Sequence, residues 1–323
     1  RVLGAGSVAG AAANAAAVQH AVTAAVSQSG GPQLDLANAL WTQRGLPLGH
    51  AFVATLTHSF GAPPQGIDFA AAPDAARQTI NSWVSRHTAH LIPSVVPPGA
   101  ITPATAFVLA NAIYLKALWA SPFAKSATRA GTFTTTGGGH VSVPFMHASD
   151  ARYLYAAGPG YQAVELPYRG STLAALAVLP SGTLAAFTRP LTASSLDAIT
   201  SSLTAREVNL SMPRLELHTQ LSLNAPLAGL GMGDAFGPTA DFRGITTTRP
   251  LQIGLAEHAA DLRVDESGTV AAGATVIIGP TAIAQPTHSV TVDLDRPFLL
   301  LLRDAASRAV LFVARVEDPS AQR

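Results

Sequence analysis

Cysteine is absent from this chain of 323 residues. Its absence excludes disulfides, thiolate catalysis and cysteine-based metal sites, and is neutral on redox compartment. Lysine is nearly absent too, occurring only at Lys116 and Lys125, so arginine carries almost all the positive charge. Charged residues make up 12% of the chain, the formal net charge is +1, and no Lys or Arg lies between Val2 and Gln43. Without a basic stripe, neither nucleic acid nor a heparin-like polyanion is expected as a partner. No run of eighteen uncharged apolar residues reads as a membrane span, because the Ala-rich opening is broken by Asn14, Gln19 and His20. No signal peptide is read before Arg1, although one can have been removed. The Gly-x-Ser-x-Gly elbow of serine hydrolases does not occur. His140 and His147 are too far apart for a helical ligand pair, and His87 with His90 has no convincing third ligand. No catalytic residue, metal or cofactor is therefore assigned.

What is present is an apolar composition, 48% hydrophobic, rich in Ala, Gly, Pro and Arg. This bias suggests a GC-rich and bacterial genome, and the length allows one large core or two domains. Residues 1 to 30 carry a modest helical stripe at Val18, Val22 and Val26. The glycines near Arg1 look like a dinucleotide-binding turn but lack the preceding strand that such a turn requires. Leu34 to Gln43 alternates as a strand. Asp74 to Ile92 reads as a helix, with an acidic start and a stripe through Ile80, Trp83, Val84, His87 and Leu91, ended by Pro93 and Pro97. Phe107 to Phe123 is a continuous apolar run suited to a strand buried on both faces, with the polar Asn111 inside it. Gly131 to His147 reads as two strands about a glycine turn, and Val164 to Gly170 and Ala174 to Pro180 as further strands.

The most distinctive stretch is Asp265-Glu266-Ser267-Gly268-Thr269-Val270-Ala271-Ala272-Gly273-Ala274-Thr275. Read as a strand, it puts the small residues Thr269, Ala271, Gly273 and Thr275 on one face. Gly279, Pro280 and Pro286 then break any regular element before Asp295.

This stretch resembles the hinge of inhibitory serpins, whose reactive loop inserts into a β-sheet after cleavage. Other segments resemble the family in the same order, among them Asn111 to Trp119, Met212-Pro213-Arg214, Asp295-Arg296-Pro297-Phe298 and Leu311 to Pro319. Most of the family's first two helices have no counterpart, so they are read as missing. The resemblance implies an α+β fold in a single domain over residues 1–323: a large mixed sheet, two smaller sheets, surrounding helices and a reactive loop at about 266–290. It implies a protein that is cleaved rather than one that catalyses, with a target serine protease as partner. It also implies an extracellular monomer that can form loop-sheet polymers. The hinge would comprise Glu266, Gly268, Thr269 and Ala271 to Thr275. Counting by the family's spacing, the reactive bond is Ala282–Ile283, with Ala284, Gln285 and Pro286 as further candidates. Asn111, His258 and Trp119 would govern sheet opening, Asn111 bonding His258 as a latch. The plainer reading has these two polar residues satisfied separately. No Lys or Arg lies between Ser267 and Asp295, so a trypsin-like pocket has no cation to bind, and an elastase-like or subtilisin-like protease fits better. The alternative is a noninhibitory serpin-fold binding or structural protein, cleaved as a plain substrate.

Overall fold

In this computed structural model the described residues are 7, 10–14, 16–17, 31–269 and 289–320, leaving aside the side chains of 35–37 and 112–113. Residues 10–14 and 16–17 are helical. The chain continues through β1 (Gln33–Gln43), α1 (His50–Phe60), β2 (Gln65–Ile67), α2 (Pro73–His87), β3 (Phe107–Leu118), β4 (Arg129–Thr134), β5 (His140–Gly158), β6 (Tyr161–Pro167) and β7 (Leu173–Pro180). Next come α3 (Leu184–Thr188), α4 (Ala193–Ser201), β8 (Thr204–Pro213), β9 (Leu215–Ser222), β10 (Ala256–Asp265), β11 (Gly268–Thr269), β12 (Val290–Asp293), β13 (Phe298–Asp304) and β14 (Val310–Val316). The fold is α+β, with a six-stranded and an eight-stranded sheet. The chain forms two compact units.

The first unit includes residues 34–114 and 218–261. Here β3 and β10 pair in parallel, with Leu109, Ala110 and Asn111 opposite Ala256, Glu257 and His258. The helix α2 begins with Pro73 at its first position, where a missing N–H costs nothing, and carries Asp74 at the positive end of its dipole. Its inward side chains, Ile80 and Val84, join Val108 and Ala110 of β3, Ala259 of β10 and Trp41 of β1 in one core. The buried Asn81 ties α2 to the returning chain. Its Nδ2 donates to the Val96 carbonyl at 3.0 Å, and its Oδ1 accepts from the N–H groups of Val95 and Val96 at 2.9 and 2.8 Å.

The expected helix to Ile92 ends at His87 instead. Thr88 turns its hydroxyl onto the Val84 carbonyl and accepts from the Ile92 N–H, and Ala89 and His90 adopt left-handed backbone with φ of 48° and 64°. The apolar stripe persisted through Leu91 in the sequence, but the threonine's local bonds compete with the helix.

The second unit includes residues 115–217 and 262–320. Its sheet runs β12-β8-β5-β6-β7-β13-β14, with β4 added to β5. The two smaller sheets expected are continuous through β5, a strand of 19 residues with an irregularity between Ala148 and Ala151. Every residue of β7 and of β13 is buried, which explains their unbroken apolar sequences. The exceptions in β13 are Arg303, paired with the equally buried Glu165 at 2.6 Å, and Asp304, whose carboxylate accepts from the Ser307 N–H at 2.9 Å.

Candidate functional site

The site is the root of the loop, where the chain leaves β10. Asp265 closes a tight turn: its Oδ1 accepts from the N–H of Ser267 at 2.7 Å and of Gly268 at 3.2 Å. This side-chain bonding is what an aspartate offers a turn. The chain then reverses as β11. Gly268 and Thr269 pair antiparallel with Asp265 and Val264 on one side, and with Leu118 and Ala117 of β3 on the other. A Cβ at residue 268 would lie 1.9 Å from the Ala117 carbonyl oxygen and 2.8 Å from the Leu118 Cα. Only glycine fits this approach.

Side chains fix the turn on each side. Glu266 is buried, and its Oε1 accepts from Arg214 Nε at 2.9 Å, Arg214 Nη2 at 2.5 Å and Thr128 Oγ1 at 2.5 Å. Burial raises the carboxyl's pKa, but the bonds from Arg214 and Thr128 outweigh it and hold the group below its ordinary range. The Trp119 backbone N–H donates to the Ser267 carbonyl at 2.9 Å, and its indole Nε1 donates to the Asp265 carbonyl at 2.9 Å. The indole stacks on Tyr168, with centroids 4.6 Å apart and planes 7° from parallel. Tyr168 in turn shares a hydrogen bond of 2.5 Å with Thr269 Oγ1, and burial pushes its hydroxyl well above the usual phenol range. Among the described residues, no fully buried side-chain nitrogen or oxygen lacks a hydrogen-bond partner.

Of the residues expected from the sequence, Glu266, Gly268, Thr269 and Trp119 come together here. Ala271, Ala272, Gly273, Ala274 and Thr275 of the hinge, and the bond Ala282–Ile283, lie outside the described residues. In the first unit, Asn111 and His258 are register partners. Their expected hydrogen bond is replaced by another: Asn111 Nδ2 donates to Asn38 Oδ1 on β1 at 2.8 Å. The amide bonds the strand on the side of β3 away from β10. Burial pushes the His258 imidazole below its usual pKa.

Thr128, Tyr168 and Arg214 were not singled out from the sequence. Arg214 is the one with a sequence signal, a lone cation closing the Met212-Pro213-Arg214 motif.

The geometry is that of a loop root already paired between two strands of a sheet, and the family profile described as Serpin (serine protease inhibitor) matches residues 1–319. The chain belongs to the serpin family. An uncharacterised serpin-like protein from Methanosarcina acetivorans is 32% identical over 291 residues, which cover 89% of this serpin and 68% of that protein. The leukocyte elastase inhibitor of Sus scrofa is 34% identical over 295 residues, 88% of this serpin and 78% of its own length. Human thyroxine-binding globulin, complexed with thyroxine, superposes with a TM-score of 0.83 at 26% identity, covering 96% of this serpin and 82% of that chain. The serpin-like relative is archaeal, where composition had suggested a bacterial source. The family is one of inhibitors rather than catalysts, and this serpin is accordingly not an enzyme. Among the described residues, no three His, Asp or Glu side chains gather to hold a metal, and no helix is long and apolar enough to cross a membrane.

Proposed function

We propose that this serpin is inhibitory and acts as a suicide substrate. A serine protease would attack the loop beyond Thr269 and form an acyl-enzyme. The loop would then follow Gly268 and Thr269 into the sheet, carrying the protease with it. The observation behind this reading is that β11 already pairs with β3 and β10 at once. Each further pair of loop residues would move the partners two residues back along both strands. Ala271, Gly273 and Thr275 would continue the face begun by the buried Thr269, and Thr275 would arrive between Asn111 and His258. The stretch 269–275 holds no charge and no proline, so each residue can give its backbone to two ladders and bury a small side chain.

The reactive bond in this reading is Ala282–Ile283, and the target has a small apolar pocket, as in elastase-like or subtilisin-like enzymes. The absence of Lys and Arg between Ser267 and Asp295 supports it, as does the elastase inhibitor among the relatives. A second reading, a serpin-fold binding protein cut as a plain substrate, is favoured by the neighbour that carries thyroxine.

The deciding experiment mixes the protein with an elastase-like, a subtilisin-like and a trypsin-like protease and follows denaturing gels and masses. A covalent band with either of the first two, and cleavage after Ala282, is expected. Cleavage without that band would select the second reading.

A further inference from the structure

A polar cavity of about 560 Å³ lies between α2 and the chain that returns from it, residues 90–94. Its helix wall is formed chiefly by Arg77, Ser82, Ser85 and Arg86, and its other wall by His90 and Ser94. No Asp or Glu lines it. Arg77 spends only its Nε on Asp74, at 2.7 Å, and its two Nη groups have no partner among the described residues. Arg86 makes no hydrogen bond or ion pair among the described residues. His90 is delivered to the cavity by the left-handed backbone at Ala89 and His90, a conformation that non-glycine residues adopt only under constraint. Its Nδ1 is hydrogen-bonded to Ser85 Oγ at 3.0 Å, which leaves Nε2 available.

We infer that this cavity is a binding site for a small tetrahedral oxyanion, phosphate or sulfate, held by Arg86 and His90 with the serine hydroxyls as neutral donors. Arg77 is already paired with Asp74, but Arg86 presents a charged donor with no carboxylate partner among the described residues, which is the chemistry of an oxyanion pocket. It is a localised pocket and not the basic stripe that a long polyanion requires. The bound ion bridges α2 and its return segment, adding to the tie that Asn81 makes. Because α2 packs on Val108 and Ala110 of β3 and on Ala259 of β10, a ligand that fixes α2 also resists separation of those two strands. Binding itself does not depend on the inhibitory reading.

The test is titration calorimetry of the full chain with inorganic phosphate and, separately, with sulfate, at constant ionic strength balanced with chloride. Thermal unfolding is followed in the same buffers. Saturable one-site binding is expected, with a rise in Tm that chloride does not reproduce. Arg86→Gln should weaken affinity at least tenfold. His90→Asn, chosen because asparagine tolerates left-handed backbone, should weaken it several-fold while the ion-free protein keeps its Tm. Arg152→Gln, a change of the same charge in β5, should leave affinity unaltered. Heat without saturation, or equal affinity in the wild type and Arg86→Gln, would overturn the proposal. An equal loss in Arg152→Gln would assign the effect to net charge and overturn it as well.

Discussion

At residues 117 and 118, β3 pairs with Thr269 and Gly268 of β11, whereas at residues 109 to 111 it pairs directly with β10. Around the first pairing, the side chains of Glu266, Arg214, Thr128, Trp119, Tyr168 and Thr269 are engaged in defined bonds to the turn or to one another. At the second, the one side-chain bond of Asn111 points away from β10, to Asn38. A net ladder hydrogen bond contributes only about 0.5–1.5 kcal/mol, and a three-residue register holds few of them. The difference lies in what a separation would break: the turn at the loop root is held by specific side-chain bonds, whereas the pairing at residues 109 to 111 is a ladder with no side-chain bond between β3 and β10 among the described residues.

The sharpest way to break this comparison is at Gly268. A side chain there collides with the Ala117 carbonyl, so Gly268→Val should expel β11 from its place between the strands. On the proposed inhibitory reading, inhibition of an elastase-like protease should fall by orders of magnitude; stability should fall by about 1–3 kcal/mol, the usual cost of overpacking a close-packed site. Thermal denaturation and hydrogen exchange at the Thr269 amide read both effects. A Gly268→Val protein with unchanged protection at Thr269 would contradict the close approach.

Glu266→Gln comes next. The buried carboxylate loses its charge-assisted bonds, but the half-exposed Arg214 can regain water, so a loss of about 1–2 kcal/mol is expected rather than the larger cost of a stranded buried cation. The pH dependence carries the sign. The folded-state pKa of Glu266 lies below its ordinary 4.5, so its contribution is complete above that pH and is lost as pH falls through the lowered value. The Tm difference between wild type and Glu266→Gln should therefore shrink as the solution is acidified. A difference that stays constant down to roughly pH 2, well below an ordinary glutamate pKa, would mean the carboxylate's charge is not what holds the turn.

Tyr168→Phe should cost about 1–2 kcal/mol by leaving the buried Thr269 hydroxyl without its partner. Adding Thr269→Val removes both halves of the bond, so the double variant should lose less than the sum of the two single losses. Strict additivity in that cycle would show that the hydroxyls do not interact.

Much of this was legible beforehand, for physical reasons. β7 was legible as a strand because both of its faces are covered, which favours an unbroken apolar run. The reversal at Glu266 to Gly268 escaped a reading of the stretch as one strand, because it depends on the Asp265 carboxylate accepting from the Ser267 and Gly268 N–H groups. The partners of Glu266 were not legible either, since Thr128 and Arg214 lie 138 and 52 residues away and nothing in their own neighbourhoods requires a carboxylate. The bond from Asn111 to Asn38 was missed for the same reason: an amide's chemistry demands a partner but does not say on which neighbouring strand. The end of α2 was misread because Leu91 keeps the helical spacing after the backbone has turned left-handed.

The smallest effect sharpens the comparison from its weaker side. His258 stands opposite Asn111 in the plain ladder, and burial keeps its imidazole neutral below the usual pH. The unfolded chain takes up a proton near pH 6.5, before the folded one does, so the neutral ring's contribution is complete above that pH and declines as pH falls toward the lowered folded value. His258→Gln removes this titration while keeping a polar side chain of similar reach. Its stability should therefore vary less with pH than that of the wild type between roughly pH 6.5 and 5, by a few tenths of a kcal/mol up to about 1 kcal/mol for a half-buried ring. If the loop root alone governs acid sensitivity, the two proteins will instead follow parallel curves through that window and diverge from Glu266→Gln only lower down. Parallel curves would move the pH-sensitive element from the lower ladder to the turn, where the carboxylate titrates.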